Sequence, residues 1–256
     1  MQKIIATIGP ISSNKSALIK LKKAGMDIVR LNGSHSSLEW HKKVINLVQK
    51  VLPETPIIFD IPGRKVRLGN LNKEIKFKKN DLITFTIDKK NKTNNKLFIS
   101  LGKQIINLKK GLKFFVDDGS LKFEIKKITK HDIICKALTG GVLKSRKGLN
   151  FPNLKFEKKF LTNTDIKFIK FAIKNKVDFI AQSFVESSNN IKEVRSIIGK
   201  YNFPKIVSKV ENQRGLNNIQ EIANSTDMIM IDRGDLAVET SLSDVVISQK
   251  KIISVA

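Results

Sequence analysis

Hydrophobic and polar positions follow two different rhythms along this chain. Up to about residue 60, short runs of Ile, Val and Leu alternate with stretches whose apolar residues recur every three or four positions. The runs predict buried strands and the longer spacing predicts amphipathic helices. A strand over Lys3–Ile8 stops at the Gly9-Pro10 turn. A helix over roughly 15–24 follows, with Ser12, Ser13 or Asn14 as its cap and Gly25 as its stop. Next come a strand over Asp27–Leu31, a helix from Ser37 to about Val51, and a strand over Pro56–Phe59 that ends at Asp60. This β-α-β-α-β order implies a parallel sheet with right-handed crossovers. The rhythm resumes near Leu161 with a helix from Thr162 to Asn175, capped by Thr162 or Asn163. A strand over Asp178–Gln182 and a helix over Asn189–Lys200 follow. Lys205 to Glu239 then reads as strand, loop, helix, strand and loop, the second strand being Asp227–Ile231. A last helix covers at least Asp244–Ala256, with Ser241 or Ser243 as cap.

Residues 68–149 break the pattern. They contain no convincing helix, only short runs: Leu82–Ile87, Leu97–Ser100, Lys113–Val116, Leu121–Lys126 and Asp132–Ala137. Turn signals such as Asp118-Gly119 and Gly140-Gly141 separate them. The expectation is an all-β insert with a small core of its own, built on Phe114, Phe115, Leu121, Phe123, Ile125 and Ile133. Residues 1–67 and 150–256 then form one α/β unit. Six strands are visible, and eight would close a (β/α) barrel. The fold expected is α/β, a barrel of the eightfold type that stops after about six strands, with the β domain inserted after the third. An open doubly wound sheet is the rival. It would usually carry a glycine-rich phosphate turn after its first strand, and Gly9-Pro10 followed by two serines is not one.

Composition changes this picture little. The chain has 256 residues, 41% of them hydrophobic, enough for a core. Its 48 Lys+Arg against 23 Asp+Glu give a formal charge of +25. The excess is spread along the chain together with Ile and Asn, so it reads as a compositional bias. A dedicated nucleic-acid partner is not expected; affinity for anionic metabolites is. The single cysteine, Cys135, excludes an internal disulfide and sits in an apolar run. No Cys/His cluster has zinc spacing, no signal peptide is visible, and no apolar run reaches membrane-spanning length. A soluble cytoplasmic protein is expected.

Candidate chemistry gathers where strands end. Lys209 and Glu211 sit two apart on a strand and so face one side. Asp235 follows the next strand, close to Arg233 and Gly234. Two carboxylates and a lysine suit a divalent cation and an anionic substrate. Arg30, Asn32 and Ser34 share a parity after the second strand, with His35 a weaker candidate beside them. Arginine is a natural partner for phosphate, and Asn and Ser offer oxygens to a hard cation. Asp60 closes the third strand and is followed by Arg64, Lys65 and Arg67. Asp117-Asp118-Gly119 reads as a tight hairpin turn, and Ser145-Arg146-Lys147-Gly148 as a basic exit from the insert.

These motifs, in this order, resemble the pyruvate kinase family: KIIATIGP, GMDIVRLNGSH, IIFDIPGRKVR, FVDDG, KGLNFP, LTNTD, DFIAQSFV, SKVENQRGLNNIQEI and RGDLAVE. The resemblance implies a barrel interrupted after its third strand by a mobile β domain. It implies glycolytic transfer of phosphate from phosphoenolpyruvate to ADP, giving pyruvate and ATP, with Mg2+ or Mn2+ and with K+ in many members. By resemblance, Lys209 is the catalytic lysine and Arg30 the phosphate-binding arginine. Glu211 and Asp235 are the divalent-metal ligands. Asn32, Ser34, Asp60 and the Ile61 carbonyl hold the monovalent cation. Ser183, Arg233, Gly234 and Asp235 bind substrate, and His35, Arg67 and Lys147 form the nucleotide side.

The departures are Pro62 in place of the motif lysine, Lys65 where a glutamate goes with potassium dependence, Glu186 for an arginine, Asp232 for a small residue and Ala237 for a glycine. The Lys65 ammonium is expected to replace the monovalent cation. The stop at Ala256 omits two barrel strands, the C-terminal domain and the threonine motif linked to enolate protonation. The chain alone is therefore expected to be poorly stable, to assemble as a homo-oligomer, or to pair with another chain. Two rivals stand beside the kinase reading: a metal-dependent lyase or aldolase of enolate type, and a catalytically impaired remnant that keeps metal and phosphate binding.

Overall fold

A computed structural model describes residues 2–90, 95–152, 154, 160–200, 202–241 and 243–256. Its first sheet has six parallel strands: β1 (Ile4–Thr7), β2 (Met26–Asn32), β3 (Ile57–Ile61), β13 (Phe179–Gln182), β14 (Lys205–Val210) and β15 (Met228–Ile231), hydrogen-bonded in that order. Among the described residues β1 and β15 each pair on one side only, so the sheet is open between them. The helices α1 (Lys15–Lys23), α2 (Leu38–Val51), α3 (Asn163–Lys174), α4 (Ser188–Ile198), α5 (Gln213–Asn217) and α6 (Ile219–Ala223) lie between its strands, and α7 (Arg233–Glu239) and α8 (Val245–Val255) follow β15. Among the described residues no helix is long and apolar enough to cross a membrane.

Local chemistry sets the helix starts. Asn14 accepts the Ala17 N–H at 3.0 Å and caps α1. Ser37 accepts from Trp40 at 3.2 Å and caps α2. Thr162 and Asp165 form a reciprocal capping box at the start of α3. The predicted helix between β14 and β15 is split at Asn218 into α5 and α6. The RGDLAVE stretch, expected to be a loop, is the two-turn helix α7, anchored by the buried Leu236.

Period-two alternation divides the six strands into two faces. Val29 and Leu31 of β2, Ile57, Phe59 and Ile61 of β3, and Ile206 and Val210 of β14 pack with the helices. The opposite face carries Ile28, Ile58, Ala181 and Val207, with Phe179 and Met230 against them. On that inner face the parity runs on toward the C-terminal strand ends as Ile28-Arg30-Asn32, Ile58-Asp60, Ala181-Ser183, Val207-Lys209-Glu211 and Met230-Asp232. Its lower part is thus apolar and its upper rim charged.

The insert contributes β4 (Val66–Arg67), β5 (Ile75–Phe77), β6 (Leu82–Thr86), β7 (Lys96–Phe98), β8 (Lys113–Val116), β9 (Leu121–Ile128), β10 (Asp132–Ala137), β11 (Gly141–Leu143) and β12 (Gly148–Asn150). Seven of these form one sheet in the order β4-β12-β8-β9-β10-β6-β7, and β11 pairs with β5. Its core is aromatic, with Phe114 stacked on Phe151 at 4.6 Å and Phe85 edge-on to Phe123 at 5.5 Å. Phe115, expected in that core, faces outward beneath Lys122. Parity explains the difference: Phe114 and Val116 point inward, so Phe115 cannot. Asp117 and Asp118, at φ 56 and 50, make the tight turn between β8 and β9.

Candidate active site

The charged rim of the six-stranded sheet and the edge of the insert enclose a cleft of about 430 Å³. It collects Arg30, Asn32, Ser34, His35, Asp60, Lys65, Arg67, Lys147, Ser183, Lys209, Glu211 and Asp235 from six separate segments of chain. Among the residues expected there, Arg233 and Gly234 are exposed and do not line it. Ile61 is buried behind the rim.

Lys209 is the hub. Its ammonium lies 2.8 Å from Glu211 Oε1, 3.3 Å from Asp60 Oδ2, 3.4 Å from Asp232 Oδ2 and 3.2 Å from Ser183 Oγ. Burial alone would lower its pKa, but the Glu211 and Asp60 carboxylates outweigh that and hold it above the usual lysine range. Lys209 therefore stays cationic although only 5% of it is exposed. Glu211 is pushed up to about 8, chiefly by burial, with Lys209 opposing and Asp235 adding repulsion. Its Oε2 accepts the Phe184 N–H at 2.6 Å. Phe184 has φ 56, a region that bulky residues rarely adopt, so this amide is aimed at some conformational cost.

Arg30 is committed to its neighbours. Its Nε donates to Asp60 Oδ2 at 3.0 Å and its Nη1 to Thr7 Oγ1 at 2.9 Å. Ser183 Oγ lies 3.1 Å from the Ile61 carbonyl and 3.3 Å from Asp60 Oδ1. The loop after β2 is equally tied: Asn32 Oδ1 accepts the Ser34 N–H at 3.0 Å, and His41 Nε2 meets the His35 carbonyl at 2.8 Å. Gly33 is needed here, because a Cβ would lie 2.8 Å from the Asp60 carbonyl and 2.9 Å from the Phe168 ring.

Lys65 departs from its expected place. Its ammonium sits 2.6 Å from Asp235 and 3.6 Å from Asp118, not on the Asn32, Ser34, Asp60 and Ile61 oxygens. Asp60 already has Arg30 and Lys209 as partners, whereas Asp235 offers a partly buried carboxylate nearer the neck of the insert. Asn150 Nδ2 donates to the same Asp235 at 3.2 Å and to Glu239 at 3.1 Å. Lys147 pairs with Asp117 at 2.7 Å, and Arg67 donates to the Arg146 carbonyl at 3.2 Å. Glu186 is explained by Arg214, 3.3 Å away, and by Asn212, which donates to it at 3.0 Å.

Asp232 was legible only as a departure, and the cleft makes it a participant. It caps the inner face of β15 in phase with Met230, and that parity was the signal available in the sequence. Glu211, Asp232 and Asp235 each present an oxygen within 4.8 Å of the others. Glu211 Oε1 is buried with no hydrogen bond, although Lys209 is close. A set of hard carboxylate oxygens, one of them held only by its ion pair with Lys209, fits Mg2+ or Mn2+.

Comparison with known proteins gives a family match over residues 1–256 to a model described as pyruvate kinase, barrel domain. The chain is 38% identical to pyruvate kinase of Clostridium perfringens, over 98% of this chain and 55% of that protein. It is 35% identical to pyruvate kinase 1 of Saccharomyces cerevisiae, over 98% of this chain and 53% of that protein. Pyruvate kinase of Borreliella burgdorferi is 34% identical over 98% and 53% respectively. The chain thus spans about half the length of these relatives.

Proposed function

Since the chain belongs to the pyruvate kinase family, we propose that it carries the phosphoryl-transfer half of that chemistry: phosphate passing from phosphoenolpyruvate to ADP, with pyruvate and ATP as products, in the cytoplasm. One observation carries the reading. A single cleft gathers a buried permanent cation, Lys209, with carboxylates on one side and Arg30, Arg67 and Lys147 around its rim. Phosphoryl transfer needs positioned charge more than covalent chemistry from the protein.

In this reading Lys209 offsets charge on the transferring group and on the enolate oxygen left behind. Arg30 turns from Asp60 toward the phosphate. Glu211 and Asp235 would hold Mg2+ or Mn2+, which would supply positive charge to offset that of the substrate. Asn32, Ser34, Asp60 and the Ile61 carbonyl line the monovalent-cation position. Ser183, Arg233, Gly234 and Asp235 belong to the substrate side. His35, Arg67 and Lys147 belong to the nucleotide side, where the insert closes over the cleft. Assembly as a homo-oligomer or with a partner chain is part of the same reading.

The test is pyruvate formation from phosphoenolpyruvate and ADP, with Lys209→Met as control. Turnover that falls at least a thousandfold in the control supports the proposal; equal turnover by both sinks it. A binding remnant is the second reading. It is favoured by the internal neutralisation of Arg30 by Asp60, Lys65 by Asp235 and Lys147 by Asp117. A folded chain that binds Mn2+ but forms no pyruvate selects it.

A further inference from the structure

Asp232 lines the cleft beside Lys209, and the family resemblance gives it no role. Its side chain is 34% exposed and opens into the cleft. It stands at the C-terminal end of β15, on the inner face shared with Met230, with Lys209 3.4 Å from its Oδ2. Asp232 and Asp235 flank the first turn of α7, and each brings an oxygen within 4.8 Å of one on Glu211.

The charges around this point do not balance. Asp60 is paired with Arg30 and also shares the ammonium of Lys209 with Glu211 and Asp232. Asp235 draws on Lys65, which also faces Asp118. Three carboxylate oxygens within 4.8 Å repel one another unless positive charge stands among them. A second observation points the same way. Glu211 is 1% exposed, and its Oε1 makes no hydrogen bond, its partner being the Lys209 ammonium in an ion pair of 2.8 Å. A buried acceptor held only by a shared ammonium keeps capacity for a further positive partner.

We propose that Asp232 is a third carboxylate ligand of the divalent-cation site, and that it enables this chain to hold Mg2+ or Mn2+ with no substrate present. The proposal rests on the reading of Glu211 and Asp235 as metal ligands. Affinity in an all-oxygen site rises with the number of charged ligands. Asp232 supplies from the protein an oxygen that a two-carboxylate site must take from water or substrate. It also lowers the net positive charge that the loaded cleft offers an anionic substrate, so cation binding and substrate binding become less dependent on each other.

The experiment titrates the 256-residue chain with Mn2+ alone, without phosphoenolpyruvate or nucleotide, following free Mn2+ by electron paramagnetic resonance. One site is expected. Asp232→Asn, which keeps shape and removes charge, is expected to weaken it at least tenfold, and Asp232→Glu to recover most of the loss. Unchanged or tighter binding by Asp232→Asn, alongside weakened binding by Glu211→Gln, overturns the proposal and leaves Asp232 a counter-ion of Lys209. If Glu211→Gln and Asp235→Asn both bind Mn2+ like the unaltered chain, the parent metal-site reading fails instead. The unaltered protein gives an independent measure should Asp232→Asn not fold. Mn2+ is six-coordinate in such sites, so three protein ligands leave about three exchangeable waters. Water-proton relaxation that counts about three supports the proposal, and four or more overturns it.

Discussion

Glu239 shows how one side chain can tie stability to pH. It lies partly buried below Asp235, with its Oε1 accepting from Asn150. Burial is the main cause that lifts its pKa to about 7, the Asn150 bond opposes it, and the Asp235 and Glu186 charges add to the lift. An acid raised in the folded state keeps its proton where the unfolded chain has lost it. Its contribution is therefore complete below about pH 4.5, the unfolded value, and is lost as pH rises through about 7. Denaturant unfolding at pH 5 and pH 8 should show the unaltered chain losing roughly 2–3 kcal/mol more than Glu239→Gln over that interval. Equal losses would mean that Glu239 ionises freely. At this scale the sequence was readable where a residue acts through its neighbours in the chain. Asn14, Ser37 and Thr162 announced their helices because capping is local. The partners of Lys65 and Glu186 come from residues far away along the chain, and no spacing rule reaches Asp235 or Arg214 from there.

Among elements, the contact that matters most joins the neck of the insert to α7. Lys65, just before β4, pairs with Asp235 in the first turn of α7, and Asn150 at the end of β12 reaches both Asp235 and Glu239. Gly119, in the turn after β8, approaches Val238 so closely that a Cβ there would lie 3.1 Å from it. Lys65→Met should remove the ion pair while keeping most of the chain length. The expected result is faster amide exchange in the 117–120 turn and in α7, and a loss of roughly 1–3 kcal/mol in resistance of these segments to opening. Unchanged exchange in both would show that apolar contact alone docks the insert. The same elements explain what a sequence reading misses. β4, β5, β11 and β12 have two or three residues each, too few to display a period. α7 has seven residues and begins with Arg-Gly-Asp, which reads as a turn until Leu236 is seen to be buried. The long strands of the inner sheet were legible because their apolar runs are bounded by glycine, proline and polar clusters.

At the scale of the molecule, charge and an open sheet pull in different directions. A formal +25 on 256 residues means net self-repulsion in the folded state. Salt should therefore stabilise the chain. A gain of about 1 kcal/mol on going from low to physiological ionic strength would raise the thermal midpoint by roughly 2–4 °C. A midpoint that falls with salt would show that the ion pairs of the cleft outweigh the repulsion. The open edges work against solubility. Ile4 and Ile5 on β1 and Met228 on β15 remain exposed on strands that pair on one side only among the described residues, and Val246, Ile247 and Ile253 are exposed on α8. Such edges template further pairing unless charge holds copies apart, and the lysine excess supplies that charge.

The Lys65–Asp235 pair has one more consequence, and it concerns time. A cation arriving at Asp235 finds an ammonium already 2.6 Å away. Entry is then an exchange of one positive charge for another, and the exchange cannot outrun the departure of Lys65. At low concentration the cation would load in proportion to its supply. At high concentration loading would level off at the opening rate of the neck, so the ion pair serves as the clock of the site.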